Sequence, residues 1–293
     1  MKRIFITLSG ILFTLTLFAQ EDSTKVVKPA ADTIRIGGMI IIKRGGGNDN
    51  RRQTIVTLGN RRKQKHSNIS TAHWVIDLGF ANYNDKTNYP SAISQNYIVS
   101  NGAHLLTAND FRLKSSKSSN VNIWFFMQRL NLIKQYVNLK YGLGIEMNNY
   151  RFKSPLSFNE GGPNPYDPSQ SIAHPFVFRD SISFSKNKLA LDYVTIPFML
   201  NFRTNPNFSQ RGLSVSAGVS VGYLYSSRNK QISDERGKHK NHGDYDAEKW
   251  KFSYIGELGL GPVILYGSYS PNSIFSNGLN VMPYNVGIRL SNW

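Results

Sequence analysis

Between Val137 and Asn148 every second residue is apolar: Val137, Leu139, Tyr141, Leu143, Ile145 and Met147 alternate with Asn138, Lys140, Gly142, Gly144, Glu146 and Asn148. Successive side chains of an extended strand point to opposite faces, so this run writes one apolar and one polar face onto a single strand. A helix, with its longer period, would smear the same pattern around its circumference. The pattern recurs. Gly212 to Ser227 sets Leu213, Val215, Ala217, Val219, Val221, Tyr223 and Tyr225 against Ser214, Ser216, Gly218, Ser220 and Gly222. Thr71 to Tyr83 puts Trp74, Ile76, Leu78 and Phe80 on one face and His73, Asp77, Gly79 and Ala81 mostly on the other, and Val281 to Trp293 opposes Tyr284, Val286, Ile288 and Leu290 to Asn285, Gly287, Arg289 and Ser291.

Four further segments read as strands with a less regular face. Asn120 to Asn131 is apolar on both sides at its centre, and Lys188 to Arg203 holds Val194, Ile196, Phe198, Leu200 and Phe202 on one parity, with Pro197 unable to donate to a ladder. Trp250 to Leu260 and Val263 to Ser270 are shorter and join through Gly261-Pro262, which brings the count to eight. The connections, 84–118, 132–134, 153–187, 204–211, 228–249, 261–262 and 271–280, run long, short, long, short, long, short, medium. Long loops at one end and tight turns at the other fit a transmembrane barrel, and a two-sheet sandwich has no reason to sort its loops this way. The apolar faces need a covering layer, and no helical segment is available to supply one. In lipid each unsatisfied backbone group costs several kcal/mol, which leaves only a closed barrel, and strands of about 10 residues match the tilted span it needs. The fold predicted is all-β: an eight-stranded, antiparallel, up-and-down transmembrane barrel over 71–293, with a short basic leader before it.

Ahead of the strands stand two other texts. Lys2 and Arg3 precede an apolar run from Ile4 to Phe18, followed by Ala19 and a polar stretch, the layout of a secretory signal peptide over residues 1–19. Residues 20–70 form a basic, largely irregular segment; from Glu21 to Ser70 there are 11 Lys/Arg against 4 Asp/Glu. Two β-like pieces inside it, Thr33 to Lys43 and Thr54 to Leu58, suggest a short hairpin, and its Gly45-Gly46-Gly47 and Arg61-Arg62-Lys63 runs suit anionic lipid headgroups; nucleic acid is not an expected partner of an exported chain. Cysteine is absent, which removes disulfides, thiolate metal sites and cysteine nucleophiles together. At 40% hydrophobic and 18% charged residues the chain is too apolar to be disordered.

Within the barrel, parity assigns roles. Trp74, Tyr83, Tyr150, Tyr225, Trp250, Tyr269 and Tyr284 fall near strand ends, where amphipathic rings favour the headgroup level. The lumen-facing set includes Asp77, Lys140, Glu146, Glu257 and Arg289 among Ser, Gly and Asn. Eight strands leave an interior just wide enough for side chains to fill, which argues against an open pore. The first and last strands must be neighbours in a closed ring, so an Asp77–Arg289 pair is expected in the lower lumen, with Lys140 and Glu257 as candidates to join it. Such a network serves either as a plug or as a proton or ion path.

The strand YVTIPFMLNF (Tyr193 to Phe202), the segment NVNIWFFMQ (Asn120 to Gln128), the run YGLGIEMNNYRF (Tyr141 to Phe152) and the ending YNVGIRLSNW (Tyr284 to Trp293) resemble the PorT-like outer-membrane β-barrel family. The likeness covers roughly residues 71 to 293, and TIRIGGMIIIK looks like the leader of some members. It implies a barrel of the Gram-negative outer membrane, whose partners are outer-membrane lipids, the barrel-assembly machinery and envelope or secretion proteins. Trp293 departs from the pattern, since it has the opposite parity to Leu290 and needs a bulge at Ser291-Asn292 to face lipid.

No catalytic constellation accompanies the strands. The histidines (His66, His73, His104, His174, His239, His242) show no HExxH spacing and there is no GxSxG. His239 and His242 would need Asp234 or Asp244 to hold a metal, and their KHKNH setting reads as a solvated charged loop. The turn-rich stretch from Gly161 to Pro168 is a surface segment able to contact a partner. The expectation is therefore a structural or binding barrel with long external loops, without catalysis, cofactor or metal. A secretion or envelope-assembly component and a narrow channel or transporter stand as alternatives.

Overall fold

The computed structural model describes residues 33–36, 39–43 and 54–58 of the leader and 67–102, 105–205, 212–261 and 263–290 of the remainder. Two units result, Met1–His66 and Ser67–Trp293. In the first, Thr33–Ile36, Met39–Lys43 and Thr54–Leu58 pair as a three-stranded antiparallel sheet in sequence order. The signal segment, both leader clusters, His66, His104 and the parity break at 291–293 lie outside the described residues.

The second unit is a ring of eight strands: β1 (Ile69–Asp85), β2 (Ser119–Ile133), β3 (Val137–Arg151), β4 (Lys186–Arg203), β5 (Leu213–Ser233), β6 (Trp250–Leu260), β7 (Val263–Tyr269) and β8 (Val281–Leu290). Each pairs antiparallel with its neighbours in sequence, and β8 returns to β1, so the main ring has no free edge. Alternation sets the two faces. Ile196, Phe198, Val219, Phe252, Val286 and Leu290 are exposed on the outer wall, while Asp77, Asn120, Asn138, Lys140, Glu257 and Arg289 are buried inside.

Bulges interrupt the alternation at Trp74, Phe125 and Tyr225, and a further register shift falls between Asn131 and Ile133 beside the β2–β3 turn. Trp74, with φ of 55°, and Phe125 are both skipped by the ladders around them, and their rings meet edge-on at 5.8 Å. Both His73 and Trp74 consequently face outward, which corrects the expectation that His73 shares the inner face of Asp77. On β2 the same break turns Trp124 and Met127 inward with Phe125 and Phe126 between them, which explains a segment apolar on both sides. Between β4 and β5 the ladder shifts at Asp192/Tyr193, where Tyr225 is the extra residue; Leu224 keeps the inward parity of Ser220 and Gly222, and beyond the bulge the outward parity passes to Arg228 and Lys230.

The long connections fold over their end of the ring. A short helix, Tyr89–Ser94, starts where the Asn88 side chain accepts from the Ser91 amide. Ile98–Val99 pairs parallel with Phe176–Arg179, which pairs antiparallel with Leu156–Asn159. Gly162–Asn164 and Asp167–Ile172 form a second, exposed pairing, and Gly237–His242 extends the hairpin begun by β5. Phe111, Tyr150, Phe152, Phe158, Tyr245 and Phe275 are the larger members of the apolar core beneath, where Phe158 and Phe275 stack at 6.1 Å.

Candidate functional site

The inward residues of β3, from the short-turn end to the long-loop end, are Asn138, Lys140, Gly142, Gly144, Glu146, Asn148 and Tyr150. The two glycines make room. A Cβ on Gly142 would lie 3.1 Å from Met127 Cγ, and one on Gly144 would lie 2.7 Å from Trp124 Cε3, so both inward-turned β2 side chains rest against bare backbone. With Val75 and Met199 they form a small apolar layer inside the barrel.

Around that layer the charges are paired. Arg289 is the hub: its Nε donates to Asp77 Oδ1 at 2.6 Å and its Nη2 to Asp77 Oδ2 at 2.9 Å, a bidentate contact between directly opposed residues of β8 and β1. Its Nη1 donates to Glu257, which also accepts from Lys140 and, at 3.1 Å, from the Ser216 hydroxyl. Asp77 further accepts the Trp124 indole N–H at 2.7 Å. A second pair joins Lys251 to Glu146, and Glu146 accepts from the side-chain amides of Asn148 (3.0 Å) and Asn285 (3.2 Å). Three buried carboxylates thus face three buried cations, which lets charge sit in the interior without large desolvation debt. Nearer the long-loop end Asn120 accepts from the Tyr266 hydroxyl and donates to Asn122 and Asn148. The void left between Asp77, Glu146, Met199, Glu257 and Arg289 is about 30 Å³, room for a water or two.

Asp77, Lys140, Glu257 and Arg289 therefore occupy one network and Glu146 a neighbouring one. Lys251 shares the parity of Glu257 and is the lumenal cation that joins the sequence-predicted set, while Trp124 and Tyr266 contribute an indole N–H and a hydroxyl that period-two patterning, which sorts residues by polarity, does not assign to the lumen. Of the ring candidates for the membrane boundary, Trp74, Tyr225, Trp250, Tyr269 and Tyr284 are exposed on the outer wall, Trp74 the most at 68%. Tyr83 and Tyr150 depart from that expectation. Tyr150 is 1% exposed, the half-buried Tyr83 packs against it at 5.8 Å, and the Tyr83 hydroxyl donates to the Phe111 carbonyl. Both carry the inward parity of their strands, so they belong to the core under the long loops. His239 and His242 are exposed on a strand three residues apart, and such residues point to opposite faces and do not converge on one ion. Among the described residues no group of three or more His, Asp or Glu side chains could hold a metal.

A family model described as "Outer membrane protein beta-barrel domain" matches residues 60–277. The chain belongs to the outer membrane protein beta-barrel domain family. Its location is accordingly the outer membrane, and the ring of eight strands is the membrane-spanning body. Among solved structures, a similar chain is Ail, the attachment invasion locus protein of Yersinia pestis, crystallised with the heparin analogue sucrose octasulfate; the TM-score is 0.27 at 14% identity, over 73% of this chain and 96% of that one. No curated protein matches the sequence.

Proposed function

We propose that this barrel is a non-catalytic, non-conducting anchor of the Gram-negative outer membrane that presents its folded long-loop end for binding, after export with cleavage of residues 1–19. The observation that carries the reading is the closed interior: paired ions across the lumen, a void of about 30 Å³, and an apolar core under the loops. A transport path needs either a continuous aqueous channel or sites from which an ion leaves easily, and a bidentate Arg289–Asp77 pair offers neither. Against catalysis stands the chemistry of the side chains: the lumenal carboxylates Asp77, Glu146 and Glu257 are each held by cations, and the exposed His239 and His242 point to opposite faces of their strand.

The test is single-channel recording in a planar bilayer, on protein first shown to migrate differently on a gel with and without boiling. A quiet membrane supports the reading; resolved conductance steps overturn it in favour of the channel. The strand motifs that resemble PorT-like barrels support a narrower place beside envelope or secretion proteins, with the barrel-assembly machinery as a transient partner and outer-membrane lipids as permanent ones. A stable complex on pull-down from solubilised envelopes is the result expected for that narrower place.

A further inference from the structure

On one side of the barrel the outer wall changes character toward the long-loop end. Along β4 the outward residues Phe202, Leu200, Phe198, Ile196 and Val194 are exposed and apolar, and further along the same parity come Lys188 and Lys186. On β5 the apolar series ends at Tyr223 and Tyr225, and beyond the bulge the outward residues are Arg228 and Lys230. The register then places cations side by side. Arg151 of β3 stands opposite Lys188 of β4, Lys188 opposite Lys230 of β5, and Lys230 opposite Lys240 of Gly237–His242. One rung farther out, Lys186 and Lys238 flank Ile232; one rung inward, Arg228 stands opposite His242.

Directly opposed like charges repel and weaken a sheet, and here four form an unbroken row across four strands. Among the described residues none of the four is held in an ion pair. Lys188 donates to the Asn149 side chain and Arg151 to the Ser185 carbonyl at 2.6 Å, neither of which carries charge. Among the described residues no ion pair reaches Arg151, Lys186, Lys188, Lys230, Lys238 or Lys240; Asp192 is taken by Arg228 at 2.7 Å, and the hairpin's two acids, Asp234 and Glu235, lie in its turn. The height of the row fits an anion at the membrane surface. Tyr223 and Trp250 meet edge-on at 4.9 Å and, with Tyr225, mark the upper border of the apolar wall. Lys230 is five residues beyond Tyr225, which on a strand tilted about 40° is roughly 12 Å higher, and long lysine stems bend back toward the headgroup layer.

We infer that this row binds the phosphate groups of anionic lipid headgroups on the long-loop side of the membrane. The inference rests on the outer-membrane reading of the barrel, and the basic leader is a separate source of positive charge that the test must exclude. The full chain in zwitterionic detergent is titrated with diphosphorylated lipid A, with its dephosphorylated form, and with inorganic phosphate, while native mass spectrometry counts bound lipid. Diphosphorylated lipid binds and the dephosphorylated form does not; K188Q/K230Q/K240Q binds about tenfold more weakly or worse, K188R/K230R/K240R binds as the parent, and Lys134→Gln, at the short-turn end, changes nothing. Equal binding of both lipids, undiminished binding by the triple glutamine variant, or full competition by inorganic phosphate at matched concentration overturns the inference. Poly-glutamate that outcompetes the lipid overturns it too, by assigning the row to an acidic polypeptide. Boiling-dependent gel mobility certifies each variant as folded; should the glutamine variant not fold, parent binding that persists unweakened in high salt serves as the overturning result. Failure of the chain to insert into zwitterionic vesicles would count against the barrel reading itself, a separate readout.

Discussion

Arg289 holds two carboxylates at once, Asp77 on the adjacent strand and Glu257 two strands away. Truncating it leaves both acids buried with a missing partner, and removal of one member of a buried pair costs about 3–5 kcal/mol. Arg289→Ala is expected to lower the unfolding midpoint in detergent by about 10 °C, read as loss of the fast-migrating unboiled band; an unchanged midpoint would contradict the hub. Glu146 and Lys251 permit a sharper comparison. Either Glu146→Gln or Lys251→Met alone strands a buried ion, whereas the two together strand none, so the double variant should be more stable than the sum of the single losses implies, by about 1 kcal/mol or more in a double-mutant cycle. Strictly additive losses would mean the two ions do not feel each other. The Asp77–Arg289 contact was legible in sequence because ring closure makes the first and last strands neighbours. Parity also made Lys140 and Glu257 candidates for that network, whereas the Glu146–Lys251 contact was not legible, because β3 and β6 are not adjacent and meet only across the lumen.

At the level of the element, the seam between β1 and β8 depends on two facing glycines. Gly79 is opposite Gly287, and Tyr266 from β7 lies over both: a Cβ on Gly287 would come 2.3 Å from the Leu78 carbonyl oxygen and 2.7 Å from Tyr266 Cε1, and one on Gly79 would come 2.5 Å from the Tyr266 hydroxyl. An aromatic ring laid over bare backbone is a known way to support glycine in a sheet. Gly287→Val is therefore expected to reduce the yield of heat-modifiable barrel on refolding severalfold. Gly267→Ala, whose Cβ would meet only the Asn285 carbonyl oxygen at 3.7 Å, should refold like the parent. Equal yields would show that the seam tolerates a side chain. Period-two patterning predicted these strands well, and it failed at His73 and across Phe125–Phe126 for one reason: a bulge inserts a residue, and every side chain beyond it changes face.

For the whole molecule, the long connections are not loose ends. Their apolar residues share one buried core with the upper lumen, including Tyr193 and Leu224 of the barrel, and Arg236 ties the hairpin to Asp180 with bonds of 2.8 and 3.1 Å. A protein rich in lysine and arginine is expected to resist trypsin at this end as long as that core holds. Phe158→Asp buries a charge against Phe152, Tyr245 and Phe275, and should open 86–118 and 152–185 to trypsin while the ring keeps its boiling-dependent mobility. Simultaneous loss of both properties would mean that cap and barrel fold as one cooperative unit.

The sequence alone determined the strand count, the up-and-down order, the two faces of the wall and the ionic character of the lumen, because alternation and loop length are properties of the chain read one residue at a time. Tertiary structure decided which ions meet across the lumen, where Trp74, Phe125 and Tyr225 shift the parity, and that Tyr83 and Tyr150 serve a core instead of a membrane boundary. These depend on stagger between strands and on apolar surface that several loops bury together, and neither is written in any single segment.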